Sequence, residues 1–218
     1  MDHATQNGNG WVVLVYRVPT EPARKRVAIW RELKRIGAFY LQQCVCAMPN
    51  RPELLDELDR ITARITEMGG DATIFDVPAL RPGDDDKLVT AVRELRDKEY
   101  AEIVEECETK FVKEIEFEHF RRNYTYEEAE EIRQDLDKIK RWFASIVARD
   151  WFGADGRQTV EDWIDRCEEL LADFEDTVYR HSGDDTAAAT APPGSSPIPD
   201  QLRPFSTTPQ PQPEEKTG

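Results

Sequence analysis

Short apolar runs alternate with longer stretches of helical spacing, most densely over residues 11–80. Trp11-Val-Val-Leu-Val-Tyr16 is a continuous run of β-branched and aromatic residues between Gly10 and Pro19, the pattern of a buried strand. Thr20 offers a cap for a helix over Pro22–Ile36, with Glu21 and Pro22 suited to its first turn and Gly37 to the left-handed C-terminal position. Ala23, Val27, Trp30 and Leu33 share one side of that helix, which predicts that this side is buried. Ala38–Met48, closed by Pro49-Asn50, is rich in strand formers and long enough for one bent strand or two short ones. Pro52 opens a second helix carrying Leu54, Leu55, Leu58, Ile61 and Ile65, and Gly69-Gly70 stops it. Ala72–Val77 is the last strand, and Pro78, Pro82 and Gly83 mark a boundary. This order predicts an α+β unit over residues 10–81, a ferredoxin-like split βαβ sheet with both helices on one face.

Beyond the boundary the period is helical. From Asp84 to Arg122 the predicted seam is Leu88, Val92, Leu95, Ile103, Cys107, Phe111 and Ile115. Thr125-Tyr-Glu-Glu128 has capping-box spacing, and Ile132, Leu136, Ile139, Phe143, Ile146 and Val147 carry a helix on to a stop at Gly153. Thr159 starts another, with Trp163, Cys167, Leu170, Phe174 and Val178 inward. Three helices with short connections predict an antiparallel helical bundle over residues 84–181. Residues 1–9 are expected to be a disordered N-terminus, and residues 182–218, which hold eight of the 14 prolines, a disordered Pro-rich tail.

Charge divides the chain at the same boundary. The net charge is -15, yet residues 1–83 hold 11 basic against 10 acidic side chains, whereas residues 84–181 hold 16 against 29. The bundle is therefore acidic, and a polyanion can meet only the first unit. From Arg17 to Arg35 seven basic residues face only Glu21 and Glu32. Arg24, Arg31 and Arg35, with Ala28 between them, form a stripe pointing away from the predicted core. Such a stripe solvates many amphipathic helices, but an imbalance this local favours an anionic partner. Arg24, Arg31, Lys34 and Arg35 are the candidate phosphate contacts to DNA, which would give affinity without sequence choice; a homodimer is one way to supply the rest.

Four scattered cysteines do not make a disulfide framework, and no leader or membrane-length apolar stretch is seen, so a cytoplasmic protein that does not enter a membrane is expected. Cys44 and Cys46, two apart on a predicted strand, would face one side, but a lone Cys-x-Cys reads more simply as two buried thiols. Glu116-x-x-His119 has di-metal bundle spacing but occurs once, where such sites use it twice, so no metal or other cofactor is expected. No phosphate loop, dinucleotide fingerprint, nucleophile elbow or His-Glu-x-x-His is present, and the expected protein is not an enzyme.

Trp11-Val-Val-Leu-Val-Tyr-Arg-Val-Pro19, Arg26-Val-Ala-Ile-Trp-Arg-Glu-Leu-Lys-Arg-Ile-Gly37, and Tyr40-Leu-Gln-Gln followed by Cys46 and Pro49 resemble the N-terminal domain of the ChrB family of chromate-resistance proteins. The likeness continues in Met68-Gly-Gly-Asp-Ala-Thr73, Glu99-Tyr-Ala-Glu102, Lys140-Arg-Trp-Phe143 and Arg149-Asp-Trp-Phe-Gly153. It covers roughly residues 10–181 and implies a cytoplasmic bacterial regulator of a chromate efflux operon. Full-length members carry a further C-terminal domain where this sequence has its Pro-rich tail. The first unit also resembles, more distantly, the small ferredoxin-like nucleases of CRISPR systems and the PaaX-type repressors. In those nucleases a metal-binding aspartate follows the first strand's tyrosine; here Tyr16 is followed by Arg17, a cation suited to phosphate or oxyanion contact. With the resemblance, chromate or another oxyanion becomes an expected ligand, and Arg17 beside the basic helix's N-terminus its candidate site. The rival expectations are a protein-interaction module working through the acidic bundle, and an enzyme, either a degenerate nuclease or a thiol-dependent chromate reductase using Cys44 and Cys46.

Overall fold

A computed structural model describes the backbone of residues 10–189 and the side chains of residues 10–182. Strands β1 (Trp11–Arg17), β2 (Phe39–Gln42), β3 (Val45–Pro49) and β4 (Asp71–Val77) make one antiparallel sheet in the order β2-β3-β1-β4. Helix α1 (Ala23–Arg35) joins β1 to β2, and α2 (Pro52–Glu67) joins β3 to β4. Five helical segments follow: α3 (Asp84–Glu106), a π segment (Cys107–Phe111), α4 (Val112–Arg121), α5 (Tyr126–Val147) and α6 (Arg157–Ala189). The chain is thus a mixed α and β protein. No described helix is long and apolar enough to cross a membrane.

The sheet is sandwiched. Val12 and Leu14 of β1 point to one face, where Cys46, Met48, Ile29, Leu33, Leu58, Ile61 and Ile65 close over them and bring α1 and α2 together. The alternating residues Trp11 and Val13 point to the other face, with Ala47, and meet Val89, Val92 and Phe152 from the start of α3 and the loop before α6. Trp11 Nε1 donates to Asp85 Oδ1 at 2.6 Å across this second layer. A third cluster, including Tyr100, Ile103, Ile132, Leu136, Cys167 and Phe174, holds α3, α5 and α6 together.

Several sequence expectations are corrected. Thr20 does not cap α1; Pro22 occupies the N-cap, and Thr20 lies too far back to reach the first helical N–H groups. The buried side of α1 is Ile29, Leu33 and Ile36, whereas Val27 and Trp30 are 43% and 48% exposed. Both sets have helical spacing and lie roughly a third of a turn apart, and the sheet accepts the aliphatic one. Ala38–Met48 breaks into two strands because Gln43 and Cys44 form a turn, Cys44 at φ 64°, so Cys44 is not on a strand with Cys46.

In the helical half, the early seam of α3 runs through Val89, Val92, Arg96 and Tyr100 instead of Leu88 and Leu95. Ile103, Cys107, Phe111 and Ile115 recur every fourth residue, a spacing that drifts about 40° per step on an α-helix. The π segment absorbs that drift and keeps all four inward. Thr125 Oγ1 accepts from the Glu128 N–H at 3.2 Å, as the capping spacing predicts, but α5 stops at Val147 rather than near Gly153. Helix α6 begins at Arg157, two residues earlier than expected, and continues to Ala189, so residues 182–189 are helical and not part of a tail. The rest of the expected tail, and the expected disordered residues 1–9, lie outside the described residues.

Candidate functional site

Helix α1 presents two arcs besides its buried one, and these and its C-terminal end each meet a different environment. On the outward arc Arg24 and Arg31 are exposed and have no ion-pair partner among the described residues. Arg35, on the same arc, donates to Glu57 Oε2 at 3.0 Å; Arg60 donates to the other oxygen at 2.8 Å, and these bonds, Arg35's first, hold the Glu57 carboxyl below the ordinary range. Lys34 is not outward. Its Nζ lies 5.7 Å from the centroid of the Tyr40 ring, and burial, together with Arg96 nearby, lowers its pKa. Arg17 sits at the end of β1, opposite Asp71 in register, and bonds its carboxylate at 2.5 Å with both side chains largely exposed. The predicted set is therefore divided: the outward arc brings Arg24, Arg31 and Arg35 together, Lys34 turns to the aromatic side, and Arg17 is held at the end of β1 by Asp71 of β4. Arg26, which the sequence reading did not select, is exposed and also without an ion pair among the described residues.

The second arc overhangs the sheet beside β2. Because Val27 and Trp30 are left out of the core, a half-open cavity of about 440 Å³ remains under them. Val18, Ala23, Val27 and Trp30 form apolar walls, and Tyr16, Tyr40 and Cys44 line it from the sheet side. The Tyr16 and Tyr40 hydroxyls hydrogen-bond at 3.0 Å, and burial raises both phenol pKa values, keeping the hydroxyls protonated. Beside them burial pushes the Cys46 thiol up to about 12, so it is an inert core thiol.

The C-terminal end of α1 meets a buried charge network that the sequence reading missed. Arg149 Nη1 donates to the Lys34 carbonyl at 3.1 Å, and its Nη2 lies 3.2 Å from Glu99 Oε2. The same oxygen accepts from Arg96 Nη1 at 2.6 Å, although Arg96 is only 1% exposed. Tyr100 Oη donates to Asp150 Oδ2 at 3.1 Å, and Asp150 accepts the Ala154 N–H. The Nε atoms of Arg96 and Arg149 are buried and have no hydrogen-bond partner among the described residues. The signal available in the sequence was Arg96, a charge on the phase of Val92 and Tyr100 with Glu99 one turn on.

The remaining candidates separate. Glu116 is exposed, and His119 Nδ1 pairs with the Tyr124 hydroxyl at 3.2 Å, so the Glu-x-x-His spacing does not assemble a ligand set. Glu114, Glu118 and Glu128 do approach one another, but Glu118 is satisfied by Asn123 and Arg121.

The family model described as "Protein ChrB, N-terminal" matches residues 26–185. No curated protein and no solved structure matches the chain.

Proposed function

The chain belongs to the ChrB N-terminal family, linked to chromate resistance, and from that premise we propose that it is a non-catalytic regulator whose helix α1 binds DNA. The observation behind this reading is the outward arc of α1, where Arg24 and Arg31 stand exposed and without an ion pair among the described residues, in a chain whose helical half is strongly acidic. Free guanidiniums at that spacing suit successive phosphates, and the acidic half would orient the protein by repulsion. The β-α-β-β-α-β order and the antiparallel strand order support reading the sheet unit as ferredoxin-like, with α1 as its exposed helix. In the same reading chromate is the effector; Arg17, largely exposed, keeps donors beyond its one bond to Asp71, and calorimetry with chromate and sulfate on wild type and Arg17→Ala tests that contact, no heat from either anion refuting it.

The test is fluorescence anisotropy with promoter DNA at two salt concentrations, with and without chromate. Wild type should bind with steep salt dependence, and Arg24→Glu/Arg31→Glu should abolish binding; Arg24→Gln/Arg31→Gln should lower the log–log salt slope by about 2, near 0.9 per lost phosphate contact. Binding that is insensitive to both pairs of substitutions refutes the assignment.

A second reading, a protein-interaction module, has its own observation. Phe117, Phe120, Tyr126 and Tyr179 of the helical half are 51%, 85%, 63% and 74% exposed. Exposed aromatics suit an interface with a second copy of the chain. Light scattering on wild type and Phe120→Ala decides it: a dimer that the substitution dissociates supports this reading, and a monomeric wild type removes it.

A further inference from the structure

We infer that the cavity under Val27 and Trp30 is a binding site for a small organic acid with a flat apolar body. The volume of about 440 Å³ lies within the ordinary range of small-molecule sites. Its apolar side, Val18, Ala23, Val27 and the exposed Trp30 indole, offers much to a ring, and Gln42 and Gln43 also line it, with amides that hydrogen-bond but carry no charge.

The polar groups choose the ligand's other end. Tyr16 and Tyr40 own two hydroxyl protons and share one hydrogen bond, so one proton has no acceptor among the described residues. Both phenols stay neutral because burial raises them, so this proton is a donor and not a charge. Arg26 lines the same cavity as a cation with no ion pair among the described residues. A spare O–H donor and an unpaired guanidinium call for an acceptor carrying negative charge, and a carboxylate uses both. A tetrahedral dianion such as chromate or sulfate is a poorer occupant: it would meet one cation, Arg26, for its two charges and would leave the apolar side, Val18, Ala23, Val27 and Trp30, without a partner. A cationic ligand is repelled by Arg26.

This inference does not require that α1 bind DNA, and its test uses no DNA. The full chain is titrated by ligand-observed NMR with 2-naphthoate, with its neutral amide, and with sulfate as competitor. Naphthoate should bind and sulfate should not displace it. Arg26→Gln should weaken naphthoate about ten-fold while leaving the amide unchanged, and Tyr16→Phe/Tyr40→Phe, which keeps both rings, should weaken naphthoate by a similar factor. Arg26 is on the surface, so Arg26→Gln remains decisive even if the double phenylalanine variant fails to fold. Absence of naphthoate binding to wild type, equal binding by Arg26→Gln, or displacement by sulfate overturns the assignment.

Discussion

Replacing Glu99 by glutamine strands a buried cation. Arg96 is 1% exposed, its Nη1 bonds Glu99 Oε2 at 2.6 Å, and Arg149 leans on the same oxygen at 3.2 Å. The amide keeps the volume and can still accept a hydrogen bond, so the loss is nearly all charge. Breaking a buried pair from one side costs about 3–5 kcal/mol; with Glu99 itself 20% exposed, water offsets part of this, and about 3 kcal/mol is expected. For a chain of this size that lowers the thermal midpoint by about 6–12 °C. The assay is a thermal melt followed by circular dichroism, with two companions. Glu57→Gln, which removes the partner of the exposed Arg35, should leave the midpoint in place. Arg96→Met in the Glu99→Gln background should recover most of the loss, because no buried charge then remains uncompensated at residue 96. A Glu99→Gln midpoint within about 2 °C of wild type would refute the assignment of a buried, dependent Arg96.

Three further outcomes follow from single sites. Gly37 has φ 82° and a Cβ there would lie 2.7 Å from the Trp151 ring and 2.9 Å from the Arg149 Cβ, so Gly37→Ala should cost about 2 kcal/mol in a denaturant melt. The Cys46 thiol is raised to about 12, so between the ordinary thiol range and that pH the unfolded chain releases a proton that the folded chain keeps. Stability should therefore fall as pH rises through this window, and Cys46→Ala should flatten that part of the profile when melts are compared across alkaline pH. Thr125→Ala removes the one side-chain N-cap bond of α5 and should cost about 1 kcal/mol, read in the same denaturant melt.

Most strands and helices were legible because glycine, proline or a capping threonine marks one or both ends, although Thr20 does not cap α1 and Ala38–Met48 left one strand or two open. Gly10 and Pro19 bracket β1, Gly37 and Gly69 end the two helices at φ 82° and 80°, and Thr125 caps α5 as its spacing requires. Periodicity alone could not choose between the expected set Ala23, Val27, Trp30 and Leu33 and the observed set Ile29, Leu33 and Ile36, since both are regular and share the buried Leu33. The choice rests on which set the sheet face accepts, a tertiary fact. For the same reason the cavity was invisible: it exists because the rejected set overhangs β2. The charge network is harder still. Arg149 reaches the carbonyl of Lys34 from 115 positions away, and a sequence pattern reports neighbours within an element, not partners across the fold. Arg24, Arg31 and Arg35 stand outward as the stripe predicts, whereas the Arg35 pairing with Glu57 of α2 and the approach of Lys34 to Tyr40 of β2 are announced by no local spacing.

Because each arc of α1 answers to a different neighbour, its functions can be separated by mutation. Arg24 and Arg31 are exposed and make no ion pair or hydrogen bond with a described residue, so reversing their charge leaves the core set Ile29, Leu33 and Ile36 intact. A loss of DNA binding in that variant would report the polyanion face alone. Arg26 lies on the cavity side with no ion pair among the described residues, so its neutralisation reports the acid site alone. The helix end is different: Arg149 donates to the carbonyl of Lys34, where a cation is also favoured by the helix dipole, and Trp151 packs against Gly37. A substitution at that end disturbs the seam between sheet and helical half together with the position of α1. Only changes there should alter folding stability and both binding faces at once, which makes the Glu99→Gln protein the control against which outward-arc and cavity variants are read.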